Sequence, residues 1–290
     1  MKVQEFFDPA TFTLTYVIFD EAAKRGVVID PVLDFDPLTA EISTRSADRL
    51  TAFVRDHGIK IDFILETHAH ADHLTAAHLL RERLEAKIVI GSRITNVQRV
   101  FRDVFDLGSD FPIDGRQFDR LVRHGDVLEA GPLAIHVLET PGHTPACVSY
   151  KIGDAVFTGD ALFIEDSGTG RCDFPNGSAN ELFHSVHETL YSLPDETRVF
   201  VGHDYSPNRR PMRFETTIGA SKRLNSQLTQ ATTADEFVRR RTERDRTLAP
   251  PRLLFPSLQV NVQAGALPSP HQNGRRYLSI PLDLFKKTNP

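Results

Sequence analysis

The chain contains no tryptophan, two methionines and two cysteines among 290 residues. Two thiols, Cys147 and Cys172, rule against a disulfide framework and suit a reducing compartment. No apolar run approaches the roughly 18 residues that a membrane helix needs. The opening stretch, MKVQEFFDPATF, places charges and a proline where an export signal would have its apolar core, so a cytoplasmic protein with no membrane association is expected. Neither sign of charge dominates: 34 Lys and Arg stand against 39 Asp and Glu, a net charge of −5. That balance excludes a global electrostatic case for binding nucleic acid or an anionic lipid surface. Internal repeats and low-complexity linkers are also missing. What remains is an ordinary globular composition, 40% hydrophobic and 25% charged, long enough for one large domain or two small ones.

Against that plain background one stretch stands out. Thr67–His73 reads THAHADH and follows an apolar run, Ile61–Leu65, that reads as a buried strand. On an extended strand end His68 and His70 are two apart, so their rings point to one side. Asp72 and His73 follow at a turn, before a helical pattern from Leu74 to Leu84. A lone histidine in a turn is ordinarily a surface residue. Three histidines and an aspartate at a strand-to-helix junction instead present imidazole and carboxylate groups in the way a metal site requires.

The rest of the chain alternates strand and helix signals. Thr11–Phe19 and Gly26–Ile29 read as a hairpin, Ser43–Asp56 as an amphipathic helix, Lys87–Ile90 as a strand and Ile94–Phe105 as a helix. A turn-rich loop, Asp106–Asp119, precedes the strands Leu133–Leu138, Val148–Lys151 and Ala155–Thr158. Ala179–Leu190 reads as a helix, Arg198–Val201 as a strand, and Glu215–Ser226 and Ala234–Arg244 as helices. A proline-rich tail begins at Pro250, with a short strand expected at Arg276–Ile280. This order predicts two sheets covered by helices.

Three later strands end in the same way. His143 follows the strand at Leu133–Leu138, Asp160 the one at Ala155–Thr158, and His203 the one at Arg198–Val201. Each is preceded directly by glycine, which allows close backbone approach. Singly, Asp160 reads as a turn former, and His143 and His203 as turn or core residues. If the strand ends share one edge, five histidines and two aspartates converge there: His68, His70, Asp72, His73, His143, Asp160 and His203.

In this order THAHADH, ETPGHT, FTGD and VGHDY resemble the metallo-β-lactamase superfamily, over roughly residues 11–205. The resemblance implies an α/β (α+β) fold, an αββα sandwich with a metal site where the two sheets meet. It does not by itself select a reaction, because the superfamily hosts hydrolysis of several bond types as well as oxidation. Gly170–Phe174 (GRCDF) and Phe183–Leu190 (FHSVHETL) are similar to the persulfide dioxygenases, whose usual motif has threonine where Cys172 stands. Ile94–Asp119 and the tail Phe255–Asp283 are similar to one bacterial subgroup of that family. The implied organisation is a catalytic domain over 1–249 with a C-terminal extension, 250–290, packed on it.

Carried over by motif, the resemblance implies one Fe(II) per chain held by His68, His143 and Asp160. His70, Asp72, His73 and His203 would orient ligands or hydrogen-bond iron-bound water, with Tyr205 beside them. The implied reaction is oxidation of glutathione persulfide by O2 to sulfite and glutathione. The same seven residues would also serve two zinc ions in a glyoxalase II-like glutathione thioester hydrolase, with Asp160 bridging. A metal or persulfide sensor without catalysis is a third reading, disfavoured because no ligand is missing. Glutathione carries carboxylates, so a basic lip is expected from Arg171, with Tyr205 and Arg213 and the pair Arg209 and Arg210 as further candidates. Cys147 reads as buried packing. Cys172, beside Arg171, is a candidate for a lowered pKa and oxidation. A homodimer and a rhodanese-type sulfurtransferase in the same pathway are further expectations from the resemblance alone.

Overall fold

The computed structural model describes residues 1–284. Two six-stranded sheets form its centre. In the first the order is β1(Lys2–Asp8), β2(Thr13–Asp20), β3(Arg25–Ile29), β6(Lys60–Leu65), β8(Lys87–Gly91) and β9(Arg120–Val122). Its first three strands run antiparallel and the rest add in parallel. The second sheet takes its strands in chain order: β10(Val127–Ala130), β11(Leu133–Glu139), β12(Val148–Ile152), β13(Ala155–Phe157), β14(Arg198–Phe200) and β15(Glu215–Thr217). A small third sheet joins β5(Glu41–Ser43), β4(Val32–Asp36) and β7(Leu74–Thr75).

Strand β2 shows how the layers arise. Its alternate residues Leu14, Tyr16 and Ile18 enter the core between the large sheets, while Val17 and Phe19 enter a second core under the helices. A strand buried on both faces needs a continuous apolar run, which TLTYVIF supplies. Between the sheets Phe157 stacks on Phe200 at 4.9 Å, with Tyr16 edge-on to both. Covering the first sheet, α1(Arg45–Asp56) buries Ala47, Leu50 and Val54, and α3(Ile94–Val104) buries Ile94, Val97, Gln98 and Phe101. These are helical spacings. Alongside them lies α2(Ala77–Leu84). The second sheet is covered by α4(Ala179–His184), continued by a π-helical turn over Ser185–Leu190, and by α5(Ile218–Leu224) and α6(Ala234–Asp245). Helix, sheet, sheet, helix is the expected sandwich. No helix among the described residues is long and apolar enough to cross a membrane.

Three local expectations are corrected. Glu215–Thr217 is a strand rather than the start of a helix, because it pairs with β14 and Glu215 meets Arg198 at 2.7 Å across the ladder; Thr217 then caps α5. Arg276–Ile280 is not a strand: Gln259 holds both the N–H and the carbonyl of Ser279 at 2.7 Å, taking the place of a partner strand. The tail also contains a helix, α7(Leu254–Asn261). Pro256 sits in its first turn, where a missing N–H breaks no helical bond. Of the range 250–290, residues 285–290 lie outside the described residues.

Candidate metal centre

The two large sheets are stitched together at one edge. The amide of Leu14 donates to the carbonyl of Gly202 at 2.9 Å, and that of Val148 to Thr67 at 2.9 Å. Every strand end singled out by its His or Asp opens onto this seam. Gly159 adopts φ +50°, and a Cβ there would lie 2.5 Å from Thr67 Oγ1. Glycine is therefore required where the Asp160 turn passes under the histidine loop.

The loop is pinned from two sides. Asp30 accepts from the Thr67 amide and hydroxyl, both at 2.7 Å. Asn261 of α7 donates to the carbonyls of His70 and His73, each at 2.8 Å, and accepts from the Thr75 amide at 2.9 Å. The side chains then sort into two main sets. In His68, His143 and Asp160 one ligand atom from each lies within 4.8 Å of the others; His70, Asp72, His73 and His203 satisfy the same condition. His70 also closes a third group with Asp30 and Glu66.

Ring orientation is set by what each Nδ1 touches. His143 Nδ1 donates to the Arg171 carbonyl at 2.6 Å, and His203 Nδ1 to that of Phe12 at 3.2 Å. The Thr67 hydroxyl is committed to Asp30, so its oxygen accepts from His68 Nδ1 at 3.0 Å. Each bond leaves the Nε2 lone pair facing inward. Nε2 of His68, His73 and His203, both His70 nitrogens and Asp160 Oδ1 are buried without a hydrogen-bond partner. Buried polar atoms are rarely left this way unless something else binds them. A converging set of bare imidazole nitrogens and carboxylate oxygens fits a first-row transition metal.

The electrostatics divide the site further. Burial pushes the His68 imidazole well below its usual pKa, and His70 and His143 add to this, so it is a neutral donor. Burial would lower His70 too, but Asp30 and Glu66 outweigh it and hold the ring well above its usual value. Nε2 of His70 lies 3.1 Å from Asp30 Oδ1 and 3.3 Å from Glu66 Oε2, without the alignment of a hydrogen bond. For Asp72 burial works against ionisation, yet His203 and His73 keep the carboxyl well below the ordinary range. Asp160 sits between the sets, Oδ2 at 3.5 Å from His143 Nε2 and Oδ1 at 3.4 Å from His203 Nε2.

With the motif residues gathered on one seam of an αββα sandwich, comparison with known proteins decides the family. The profile of the metallo-beta-lactamase superfamily matches residues 8–203. The chain belongs to that superfamily. This member is 47% identical to a probable metallo-hydrolase of Burkholderia pseudomallei, over 98% of its own length and 99% of that protein's. It is 43% identical to glyoxylase B2 of Dictyostelium discoideum, over 99% and 98% of the two chains. With the human mitochondrial persulfide dioxygenase ETHE1 it shares 32% identity, over 82% and 79%. Among solved structures, ETHE1 from Myxococcus xanthus superposes with a TM-score of 0.74 at 35% identity, covering 92% of this chain and all of that one. The chain spans 65% of the length of a beta-lactamase hydrolase-like protein of Agrobacterium fabrum, with which it is 44% identical.

Beside the candidate metal residues of this superfamily member lies a cavity of about 650 Å³, with Asp72, His143 and Asp160 in its wall. Arg171 and Tyr205 line it as well. Tyr205 is half exposed and stacks on the His203 ring at 5.5 Å. Arg171 is already bound, to Asp173 and to the Ala249 carbonyl at 2.7 Å. Arg213 is not in the wall; it pairs with Glu165 at 3.0 Å. Arg210 ties Asp166 to Asp204, and Arg209 is exposed.

The structure corrects the reading of Cys172. Its side chain is buried, and burial, with Asp245 nearby, pushes the thiol pKa up rather than down. Burial also raises Cys147, to about 12. Several contributors escaped the sequence reading. Asp30 ends β3 as the metal-site residues end theirs, a signal masked by the adjoining proline. Glu66 precedes the motif directly. Arg241, Arg244 and Arg252 line the cavity from stretches that read as an ordinary charged helix and tail. Asn261, inside an apolar helix, carried no signal.

Proposed function

We propose that this protein is a non-haem Fe(II) persulfide dioxygenase, with one iron held by His68, His143 and Asp160. The observation that carries the reading is the separation of these three from His70. That ring groups with Asp72, His73 and His203 and is drawn by its Nε2 toward two buried carboxylates. Two imidazoles and one carboxylate are the set that leaves coordination positions open in non-haem iron oxygenases. An iron there would supply O2 activation and a position for the persulfide sulfur.

The chain's own groups do the rest. The Arg171 carbonyl fixes the His143 tautomer, and Thr67, held by Asp30, fixes that of His68. Asp72 and His203 stay paired beside the centre, where they can hydrogen-bond a water. The balance is glutathione persulfide plus O2 plus water giving glutathione and sulfurous acid, which ionises to sulfite. The outer sulfur rises from oxidation state zero to +4, and O2 takes the four electrons. The same reading treats residues 1–249 as the catalytic domain and the segment from 250 as an extension of it, because Asn261 braces the histidine loop.

A second reading has its own support. Asp160 offers one oxygen toward each set and could serve both if two zinc ions were held, which would supply an activated water for thioester hydrolysis, and relatives carry hydrolase and glyoxylase names. Metal analysis of purified protein, run with O2 uptake on glutathione persulfide, separates the two. About one iron per chain with uptake supports the dioxygenase. Two zinc ions with hydrolysis of S-lactoylglutathione and no uptake overturns it.

A further inference from the structure

Four arginines line the 650 Å³ cavity, and they are not equivalent. Arg171 is bound to Asp173 and the Ala249 carbonyl. Arg241 is buried and bound to Asp245 and to Gln227 Oε1 at 2.7 Å. Arg244 and Arg252 are exposed, and their guanidinium groups make no ion pair or hydrogen bond with any side chain among the described residues. One closes α6 and the other precedes α7, so the turn between them places both in the same wall, with Leu248, Ala249, Pro251 and Leu253 as apolar lining. Of the two acids that flank Arg244, Glu243 is exposed and forms no ion pair among the described residues, and Asp245 faces inward, taking the Cys172 amide at 2.8 Å and the Arg241 guanidinium.

The cavity is thus polarised. Asp72, Asp160 and His143 mark the metal side, and two uncommitted guanidinium groups mark the solvent side. Its volume lies in the range of organic small-molecule sites, roughly 300–1,000 Å³, and far exceeds what an inorganic sulfur anion would fill. Guanidinium groups bind carboxylates by paired N–H donors.

We propose that Arg244 and Arg252 form a two-point carboxylate clamp, selecting a substrate that carries two carboxylates away from its reacting sulfur, as a γ-glutamyl tripeptide does. The identity of the reacting group rests on the dioxygenase reading; the clamp itself does not. Neither arginine touches the metal residues, so the clamp acts on substrate binding and not on the oxidation.

Calorimetry on the purified metal-loaded protein with S-methylglutathione, an unreactive probe, tests the clamp without turnover. Binding should weaken about tenfold in Arg244→Gln and in Arg252→Gln, and further in the double variant. The diethyl ester of the probe should bind wild type and double variant equally weakly. Arg239→Gln, on the exposed face of α6 and outside the cavity wall, should change nothing. With glutathione persulfide the double variant should raise KM at unchanged kcat, whereas cysteamine persulfide, which has no carboxylate, should show no such change. Equal binding of S-methylglutathione to wild type and double variant, no measurable binding to wild type, or an ester that binds as tightly as the free acid would each overturn the clamp. Arginine-dependent binding without O2 uptake on any persulfide keeps the clamp and removes the dioxygenase. Uptake that is indifferent to both arginines and to the carboxylates does the reverse.

Discussion

The two halves of the metal centre are built from the same residue types and are treated differently by their surroundings. His68 and His143 each have Nδ1 satisfied by a fixed oxygen and Nε2 turned inward. They make no ion pair stronger than the 3.5 Å approach of His143 to Asp160. The other half is closely interlocked. His70 leans on Asp30 and Glu66, Asp72 lies 3.2 Å from His73 and 3.3 Å from His203, and the Thr13 hydroxyl reaches both Asp72 and His73. Such pairing already meets part of the need that a second cation would meet. On the one-iron reading proposed above, this pairing would make the second half, whose His70, His73 and His203 Nε2 atoms are still without hydrogen bonds, the weaker place for an ion.

That contrast is broken most directly by substituting across it. On the dioxygenase reading, His68→Ala, His143→Ala or Asp160→Ala should strip the iron and lower O2 uptake on the order of a thousandfold. His70→Gln or His73→Gln should leave about one iron per chain and cost roughly 10–100-fold, as changes around a ligand set usually do. Metal content and oxygen-electrode rates on all five variants check this. Equal loss of metal from both groups would mean that the halves are equivalent and that two ions are held.

The brace behind the committed half gives a smaller effect. Asn261→Leu removes two donors to the histidine loop and leaves the carbonyls of His70 and His73 unmet. Urea unfolding should show a loss of about 1–3 kcal/mol, with activity falling more than iron content.

Cysteine reactivity probes the free half, because Cys172 follows the Arg171 carbonyl that holds His143. Burial raises both thiols, Cys147 to about 12, so the reactive thiolate is suppressed below its usual fraction. At pH 8 iodoacetamide should label either cysteine on the order of a thousandfold more slowly in the native protein than after unfolding, with no loss of activity. Mass spectrometry of the labelled protein reads both.

The least change is expected from Arg213. Its pair with Glu165 is 44% exposed on the arginine side, and such pairs contribute about 0–1 kcal/mol. Arg213→Gln should leave Tm and the KM for glutathione persulfide nearly unaltered; a KM rise matching that of the Arg252 variant would return Arg213 to the substrate site.

Much of this centre was legible in the sequence because its residues follow strand ends. A strand must stop at the sheet edge, and a polar residue after an apolar run marks where it stops. His143, Asp160 and His203 were found in that way, and the structure brings them together with the THAHADH loop. Asp30 obeys the same rule but was hidden by the proline after it. What could not be read were partners supplied across the fold. Nothing in LFPSLQVN says that its asparagine will hold two loop carbonyls, and nothing in RTERD says which arginine turns toward a cavity. The wrong strand at Arg276–Ile280 has the same origin: the hydrogen bonds of Ser279 go to the Gln259 side chain and not to a neighbouring strand. The lowered pKa expected for Cys172 failed because exposure, unlike neighbouring charge, is not written in adjacent residues.

The seam where the sheets meet also fixes an order of events in the life of the protein. Its candidate ligands run from His68 to His203, and the asparagine that holds the His70 and His73 carbonyls of the first loop arrives only at position 261. The last candidate ligand is therefore made before the residue that braces the first loop, and the two are present together only once synthesis has passed position 261. A metal that binds the complete set would thus enter a chain most of whose fold is already made. Asp30 and Glu66, which lie 3.1 and 3.3 Å from His70 Nε2, come from the same early part of the chain as the loop, so the position of that ring is set before the later ligands arrive.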